Sequence, residues 1–167
     1  MIDILALSLA CVPDVAPSTM AAVVRHESDA SVYAININGP VKVSRQPMNL
    51  AEAVDIAQRL QAKGLNFDAG LGQLNSENVV KFGASWQQVF DACANLQLSA
   101  RVLKGCYVGA TAPGRDARRT LDMALSCYNT GNYSSGFTNG YVAGVYSAAA
   151  RNRVNQNIIN DVAKIAK

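Results

Sequence analysis

Apolar residues recur at helical spacing along most of the chain, and this pattern predicts a mainly helical domain. Glycine, proline and asparagine separate the apolar stretches, so most of the helices are expected to be short. Because no internal repeat or long linker is visible, residues 1–151 are expected to form one domain. Residues 152–167 again carry apolar side chains at helical spacing and form either a docking helix or a flexible tail. The predicted helices cover residues 4–12, 18–27, 49–63, 86–90, 95–107, 115–128 and 141–151, with a further short helix after residue 76.

Two of these helices carry capping signals at their starts. Ser18 or Thr19 is expected to cap the second helix, because a hydroxyl oxygen can accept a hydrogen bond from a free amide of the first turn. Asn49, with Glu52 three residues later, forms a capping-box pattern. Gly64 is expected to end that helix.

Strand character is confined to one region of the sequence. Residues 33–37 alternate between apolar and small or polar side chains, an Asn-Gly pair supplies a turn, and two valines offer a short return strand. The pattern therefore predicts a small β-hairpin over Tyr33–Val43. The glycine-containing stretches 67–75 and 130–139 are predicted to be loops.

Composition and charge narrow the class of protein. Of the 167 residues, 50% are hydrophobic and the net charge is +3, so a chain with a substantial core is expected. Arg115, Arg118 and Arg119 form a basic cluster that Asp116 interrupts, which is typical of a solvated helix face. No aromatic residues are interleaved with basic ones, so no nucleic-acid partner is expected.

The apolar run at residues 4–12 is too short to cross a bilayer, so no transmembrane segment is expected. No lysine or arginine precedes this run and no clear cleavage site follows it, so it makes a poor leader peptide. We therefore expect it to be the first helix of the folded domain. Cytoplasmic residence, and export with a leader that this chain lacks, both fit the sequence.

Four scattered cysteines, Cys11, Cys93, Cys106 and Cys127, lack the spacing of a zinc or redox motif. They fit two disulfides in an oxidising compartment better than four buried thiols. Of the three possible pairings we favour Cys11–Cys93 and Cys106–Cys127, because the second bond would join two successive helices. Such bonds favour an exported protein.

A carboxylate extends the apolar face of the second helix. Met20, Val23 and Val24 define that face, and Glu27 falls on the same stripe at about 100° per residue. Its carboxyl group is therefore expected to point toward the interior or a cleft. Burial disfavours the charged form and raises the pKa, which lets a glutamate act as an acid near neutral pH.

Two further segments carry groups suited to a sugar ligand. In Gly70–Asn75, paired glycines let the backbone approach a ligand closely, while Gln73 and Asn75 offer amide donors and acceptors. In residues 126–131, Tyr128 ends an apolar stripe, so its ring is expected to be buried and its hydroxyl to need a partner. A buried carboxyl group such as that of Glu27 would suit it.

Taken in order, the Glu-Ser pair, Gly-Leu-Gly-Gln-Leu-Asn and Cys-Tyr-Asn-Thr-Gly resemble motifs of the lysozyme-like lytic transglycosylases of bacteria. The resemblance covers about residues 10–150 and is closest to the small peptidoglycan-cleaving enzymes of type IV secretion machines. The stretches 34–39 and 139–142 also resemble that branch. Leu74 stands where the family has Met or Ile, and Cys127 where it has Ala, but neither change removes a group that the reaction needs.

The resemblance implies a lysozyme-like α+β fold with a substrate cleft. It also implies cleavage between N-acetylmuramic acid and N-acetylglucosamine without water or a cofactor. Glu27 would protonate the glycosidic oxygen and then accept a proton from the C6 hydroxyl that attacks C1, leaving a 1,6-anhydro end. Tyr128 would orient Glu27 or bond to it. Peptidoglycan strands and type IV secretion components would be the partners, and the periplasm the location. The implied substrate contacts are Ser28, Gln73, Asn75 and Asn129.

The residues leave other interpretations open. Asp68 is the best candidate for a second carboxylate, although nothing in its neighbours indicates burial. Asp29 lies about 200° round a helix from Glu27 and should face away. His26 lacks the spacing of a zinc protease motif and is expected at the surface. The alternatives are a lysozyme-type hydrolase, or a glycan-binding adaptor that docks through the residues after 151.

Overall fold

The computed structural model describes the backbone of residues 2–165 and the side chains of residues 2–153. Helices of 4 to 25 residues account for most of the structure and one three-stranded sheet accompanies them, so the prediction of a mainly α fold with a small β element is confirmed. In chain order the elements are α1 (Ile4–Cys11), α2 (Pro17–Ser28), β1 (Ile35–Ile37), α3 (Leu50–Ala62), β2 (Phe67–Ala69), β3 (Leu74–Asn75), α4 (Ser76–Phe82), α5 (Trp86–Val89), α6 (Ala92–Ala110), α7 (Ala117–Thr130), α8 (Ser135–Thr138) and α9 (Tyr141–Ile165).

Helix α2 begins at Pro17, before either of the residues predicted to cap it. Pro17 is its first residue and Ala16 precedes it without a side-chain bond, so the prediction of a Ser18 or Thr19 cap is wrong. A proline suits the first helical position because its fixed φ matches the helix and its missing N–H would have had no helical partner. In α3 the predicted cap is confirmed, since the Glu52 amide donates to Asn49 Oδ1 at 2.9 Å.

The predicted hairpin over Tyr33–Val43 is wrong. Strand β1 pairs antiparallel with β2, which in turn pairs with β3, so the stretch 67–75 is not a simple loop. In place of a return strand, the Gln46 side chain covers the outer edge of β1. Its amide accepts from the Ile35 N–H and donates to the Ile35 carbonyl, both at 2.9 Å. One side chain thus satisfies the edge groups that a second strand would otherwise pair.

The two faces of the sheet differ sharply in polarity. The inner face is completely or almost completely buried, whereas the opposite face carries Asn36, Asp68 and Asn75 in one cross-strand row. Alternation along each strand places this polar row on the side away from the core. The buried residues of the inner face are Ile35, Ile37, Phe67, Ala69 and Leu74.

The buried apolar residues form two clusters. The larger one joins α1, α2, α6, α7 and α9, and the smaller one lies between the sheet and α3 to α5. Met20, Val23 and Val24 are fully buried in the larger cluster, which confirms the predicted apolar face of α2. That face fixes the rotation of α2 and with it the direction in which Glu27 points.

Both predicted disulfides are present. Cys11 at the end of α1 is bonded to Cys93 in the first turn of α6, and Cys106 on α6 is bonded to Cys127 on α7. Each bond restricts the unfolded chain, which typically stabilises a fold by about 2–4 kcal/mol. The second bond joins α7 to α6 one residue before Tyr128.

The basic cluster of Arg115, Arg118 and Arg119, at the start of α7, is exposed to solvent, as predicted. Arg118 bonds to Asp122 at 3.1 Å, and the guanidinium of Arg119 lies over the Phe137 ring. Phe137 belongs to α8, a short helix inside the stretch predicted as a loop. Among residues 2–165, no helix is long and apolar enough to cross a bilayer.

The carboxyl-terminal stretch begins within a continuous helix. Helix α9 runs through residues 151 and 152 to Ile165, and its side chains after residue 153 lie outside the described part. The division of the chain at residue 151, and the choice between a docking helix and a tail, therefore stay predictions.

Candidate active site

Glu27 is the second-last residue of α2. The helix ends at Ser28, because the next residue, Asp29, adopts a left-handed conformation (φ 49°). The Tyr141 hydroxyl donates a hydrogen bond to Glu27 Oε1 at 2.5 Å. Within the described part of the chain, no hydrogen bond is made to Oε2. Tyr141 thus holds one of the two carboxyl oxygens in place.

The surroundings of Glu27 favour its protonated form. Burial raises the pKa of this carboxyl to about 7, and the nearby negative charge of Asp68 acts in the same direction. The hydrogen bond from Tyr141 acts against them and lowers the pKa, because it stabilises the carboxylate. A group with such a pKa can both release and take back a proton near neutral pH.

Tyr128 does not make the predicted hydrogen bond to Glu27. Its hydroxyl donates instead to the Gly72 carbonyl at 2.6 Å, and Tyr141 occupies the place expected for it. Tyr141 starts α9, which packs along α2, so its ring approaches Glu27 from the opposite end of the chain. The motif around Tyr128 pointed to the correct type of residue but not to the correct one.

The Gly70–Asn75 segment is fastened by α6 and α7. Asn95 on α6 accepts from the Gly72 N–H at 2.8 Å, while Tyr128 on α7 bonds to the carbonyl of the same glycine. A Cβ atom at Gly72 would lie 2.2 Å from Ser99 Oγ, so this position excludes a side chain. Asn95 is only 1% exposed, and no motif in the sequence marks it as a site residue.

Gln73 is bonded to the protein rather than open to a ligand. Its amide nitrogen donates to the Ala34 and Gly70 carbonyls, and its oxygen accepts from Asn36 Nδ2 at 2.7 Å. The side chain thereby ties the glycine segment to β1. Contact between Gln73 and a substrate stays a prediction.

Ser28 and Asn75 likewise bond within the fold. Ser28 Oγ donates to the Leu71 carbonyl at 2.8 Å, which joins the end of α2 to the glycine segment. Asn75 Oδ1 accepts from the Glu77 amide and caps α4, while its nitrogen donates to Asp68 Oδ1 at 2.8 Å. Their proposed contacts with substrate also stay predictions.

Asp68 is more enclosed than its sequence neighbours indicated. Burial raises its pKa, and this corrects the expectation of an open side chain. The cause is its place on β2, the middle strand, where polar side chains of the same face surround it. Asn38 and Asn75 each donate an amide hydrogen to one of its carboxylate oxygens, at 2.9 and 2.8 Å.

Asp29 and His26 lie where the sequence predicted. Asp29 faces away from the site, with its side chain 84% exposed and its carboxylate bonded to Arg25 at 2.8 Å. His26 is exposed, and its ring meets the edge of the Tyr141 ring at a centroid distance of 4.9 Å. Asn129, the remaining predicted contact, accepts a hydrogen bond from Asn139 Nδ2 beside Tyr141.

Replacing Tyr141 by Phe is expected to lower roughly tenfold the rate of a reaction that uses Glu27 as an acid, because the carboxyl group loses the hydroxyl that orients it. The alkaline limb of the rate profile should also move to higher pH, since the lost hydrogen bond lowers the pKa of Glu27. Initial rates measured across pH 5–9 test this.

Tyr128→Phe is the matched control. It leaves the Gly72 carbonyl without its hydroxyl partner and should reduce stability by about 1–3 kcal/mol. The pH limb should not move, because this hydroxyl does not bond to Glu27. Equal shifts in the two variants would contradict the role given to Tyr141.

Asp68→Asn is expected to move the alkaline limb of the rate profile to lower pH. The negative charge of Asp68 raises the pKa of Glu27, so its removal lets Glu27 lose its proton at a lower pH. Asp29→Asn removes an equal charge two residues from Glu27 but at an exposed position, and should leave the limb unchanged. A limb that stays in place in both variants would show that Asp68 does not influence the acid.

A family model described as the transglycosylase SLT domain matches residues 5–154. The chain is 43% identical over 139 residues to the type IV secretion system protein virB1 of Brucella abortus biovar 1, covering 82% of this chain and 58% of that protein.

A second relative is the protein virB1 of Agrobacterium fabrum, at 36% identity over 140 residues, covering 83% of this chain and 56% of that protein. The chain thus spans somewhat more than half the length of the curated relatives that it matches. No solved structure matches it. The family model extends over nearly the whole described chain and includes Glu27, the glycine segment and Tyr141, so the chain belongs to the transglycosylase SLT domain family.

Proposed function

We propose that the protein is a peptidoglycan lytic transglycosylase that cleaves the β-1,4 bond between N-acetylmuramic acid and N-acetylglucosamine. The observation that carries the proposal is the state of Glu27, a largely buried carboxyl group with a pKa of about 7, one of whose oxygens is held by Tyr141 while the other has no hydrogen-bond partner within residues 2–153. Membership in the transglycosylase SLT domain family supports the reaction class.

In the first step, neutral Glu27 donates its proton to the glycosidic oxygen as the bond to C1 breaks. Tyr141 holds Oε1, so Oε2 is the oxygen that meets the substrate. Positive charge develops at C1 of the muramic residue, where the acetamido group of the substrate can stabilise it. Glu27 is left as a carboxylate, which the hydrogen bond from Tyr141 stabilises.

In the second step, the Glu27 carboxylate accepts the proton of the C6 hydroxyl while that oxygen attacks C1. The product carries a 1,6-anhydro ring, Glu27 regains its proton, and no water is consumed. One carboxyl group performs both transfers, so the scheme does not require the paired carboxylates of most glycosidases. It requires no cofactor either.

A lysozyme-type hydrolase is the second candidate, because Asp68 is partly buried and its charge acts on Glu27. Such an enzyme would use Asp68 to stabilise the cationic centre or to position a water molecule. Mass spectrometry of muropeptides from digested sacculi separates the two. We expect products lighter by one water, with anhydro ends, and reducing ends alone would overturn the transglycosylase proposal.

We further propose that the enzyme opens the wall in the periplasm for a type IV secretion or conjugation apparatus. Two disulfides suit an oxidising compartment, and one relative carries a type IV secretion name. In cells that lack the protein, the Glu27→Gln variant should restore neither wall cleavage nor secretion. Full secretion with that variant would favour a binding adaptor instead.

A further inference from the structure

An open depression of about 250 Å³ lies beside the tyrosine that holds Glu27. Tyr141 is shared between the two places, since its hydroxyl bonds to Glu27 while the side chain also lines the depression. A group bound there would lie one tyrosine side chain away from the Glu27 carboxyl group. We call this depression the donor pocket, and it is lined by His26, Asn129, Asn139, Gly140 and Tyr141.

The two asparagines of the donor pocket present N–H groups and not oxygens. Asn139 Nδ2 donates to Asn129 Oδ1 at 2.9 Å, and Asn139 Oδ1 accepts from the Tyr141 amide at 2.9 Å. Both side-chain oxygens are therefore already bonded within the protein. Within residues 2–153 the NH₂ group of Asn129 and the second N–H of Asn139 have no hydrogen-bond partner, so they are the donors open to a ligand.

The charges around the donor pocket fit a ligand rich in oxygen acceptors. None of its five lining residues carries a carboxylate. Although His26 is exposed overall, partial desolvation of its ring lowers the pKa of the imidazole, and the nearby positive charge of Arg151 on α9 lowers it further. Gly140 has no atom within 4 Å of an added Cβ, so a ligand backbone can approach there. Carbonyl and carboxylate oxygens are the groups that such a surface binds.

We propose that the donor pocket binds the peptide stem carried by the muramic residue at the cleavage site, through the carbonyl and carboxylate oxygens of the stem. The inference rests on the proposed function and names a part of its substrate. An acetamido group offers a single carbonyl, whereas a stem offers one at every residue, which matches two adjacent asparagine amides. The enzyme would thereby prefer strands that still bear stems.

Asn129→Asp tests the donor pocket with little change of shape. One carboxylate oxygen can still accept from Asn139, while the other replaces the outward NH₂ and repels oxygen ligands. The substrates are purified glycan strands with intact stems and the same strands stripped of stems by an amidase. We expect the wild type to show a kcat/KM roughly tenfold higher on stem-bearing strands, and the variant to lose that advantage.

Asn132→Asp is the charge-matched control, because its oxygen already accepts only from its own loop and it does not line the pocket. It should keep the advantage. The ratio of the two substrates within one variant cancels any loss of folded protein. If Asn129→Asp keeps the preference for stem-bearing strands, the inference is overturned. It is also overturned if the defect of the variant is seen on N-acetylated strands but not on N-deacetylated strands, because the acetamido group would then be the group that the pocket binds. If the wild type cleaves stem-bearing and stripped strands equally well, this inference is refuted but the proposed function stands. If it cleaves neither kind of strand, the proposed function is refuted.

Discussion

Replacing Glu27 by Gln is expected to lower glycan cleavage by about 10³-fold or more, because both proton transfers of the proposed mechanism use this one carboxyl group. The amide keeps the size of the side chain and can still accept the hydrogen bond from Tyr141, so the cleft should retain its shape. Release of soluble muropeptides from sacculi measures the rate. The variant should still bind to sacculi, because the substitution removes the ability to transfer a proton and leaves the other groups of the cleft unchanged.

The same substitution is expected to stabilise the protein at alkaline pH. The pKa of Glu27 is raised on folding from 4.5 to about 7, so the folded state holds the proton more tightly than the unfolded state does. The wild type should therefore lose stability as pH rises from 4.5 through 7, by about 3 kcal/mol in all. Glu27→Gln has no such proton to lose and should unfold later than the wild type at pH 8, but not at pH 4.

Denaturant unfolding of both proteins at pH 4 and pH 8 checks the sign. A variant that gains stability while losing activity identifies Glu27 as a group kept in unfavourable surroundings for its chemistry. Full activity of Glu27→Gln would show that Glu27 is not the acid of the reaction. Lost activity without the pH-dependent gain would mean that the carboxyl group is not desolvated in solution.

Local periodicity was enough to find Glu27, because the residues that fix its direction lie within the two preceding turns of the same helix. The partner of Glu27 was not accessible in this way. Tyr141 is distant along the chain, and its ring reaches Glu27 only because α9 packs along α2. Tyr128 carries the same functional group in a recognisable motif. The sequence therefore predicts correctly that a tyrosine hydroxyl bonds to Glu27, but it assigns this bond to the wrong tyrosine.

The error at the hairpin has the same origin. The Asn38-Gly39 pair is a strong local turn signal, but β1 gains more by pairing with β2, where Phe67 and Ala69 are completely buried. The covering of the β1 edge by Gln46 cannot be read from spacing, since a single glutamine has no periodicity. Gln73 shows a related limit: an amide suits a sugar and a backbone carbonyl equally, and only the three-dimensional fold assigned it to Ala34 and Gly70.

Gly70→Ala is expected to destabilise the fold severely and to abolish activity with it. Gly70 has a φ of 77°, and an added Cβ would lie 2.5 Å from the Val89 carbonyl oxygen and 2.2 Å from Asn95 Nδ2. A left-handed alanine costs about 1–2 kcal/mol, and the overlap with backbone adds about 1–3 kcal/mol. For a chain of this size the sum corresponds to a fall in Tm of roughly 5–15 °C.

Gly64→Ala separates these two causes. Gly64 at the end of α3 has nearly the same conformation, with a φ of 66°, but nothing lies within 4 Å of an added Cβ. Its Tm should fall by only about 2–8 °C and its cleavage rate should stay close to that of the wild type. In Gly70→Ala, by contrast, the new methyl group would displace Asn95, which also holds the Gly72 amide. That displacement would release the segment that Tyr128 and Ser28 fasten beside Glu27. Equal losses in the two alanine variants would mean that backbone conformation alone, and not the close contact with α5 and α6, makes glycine necessary at position 70.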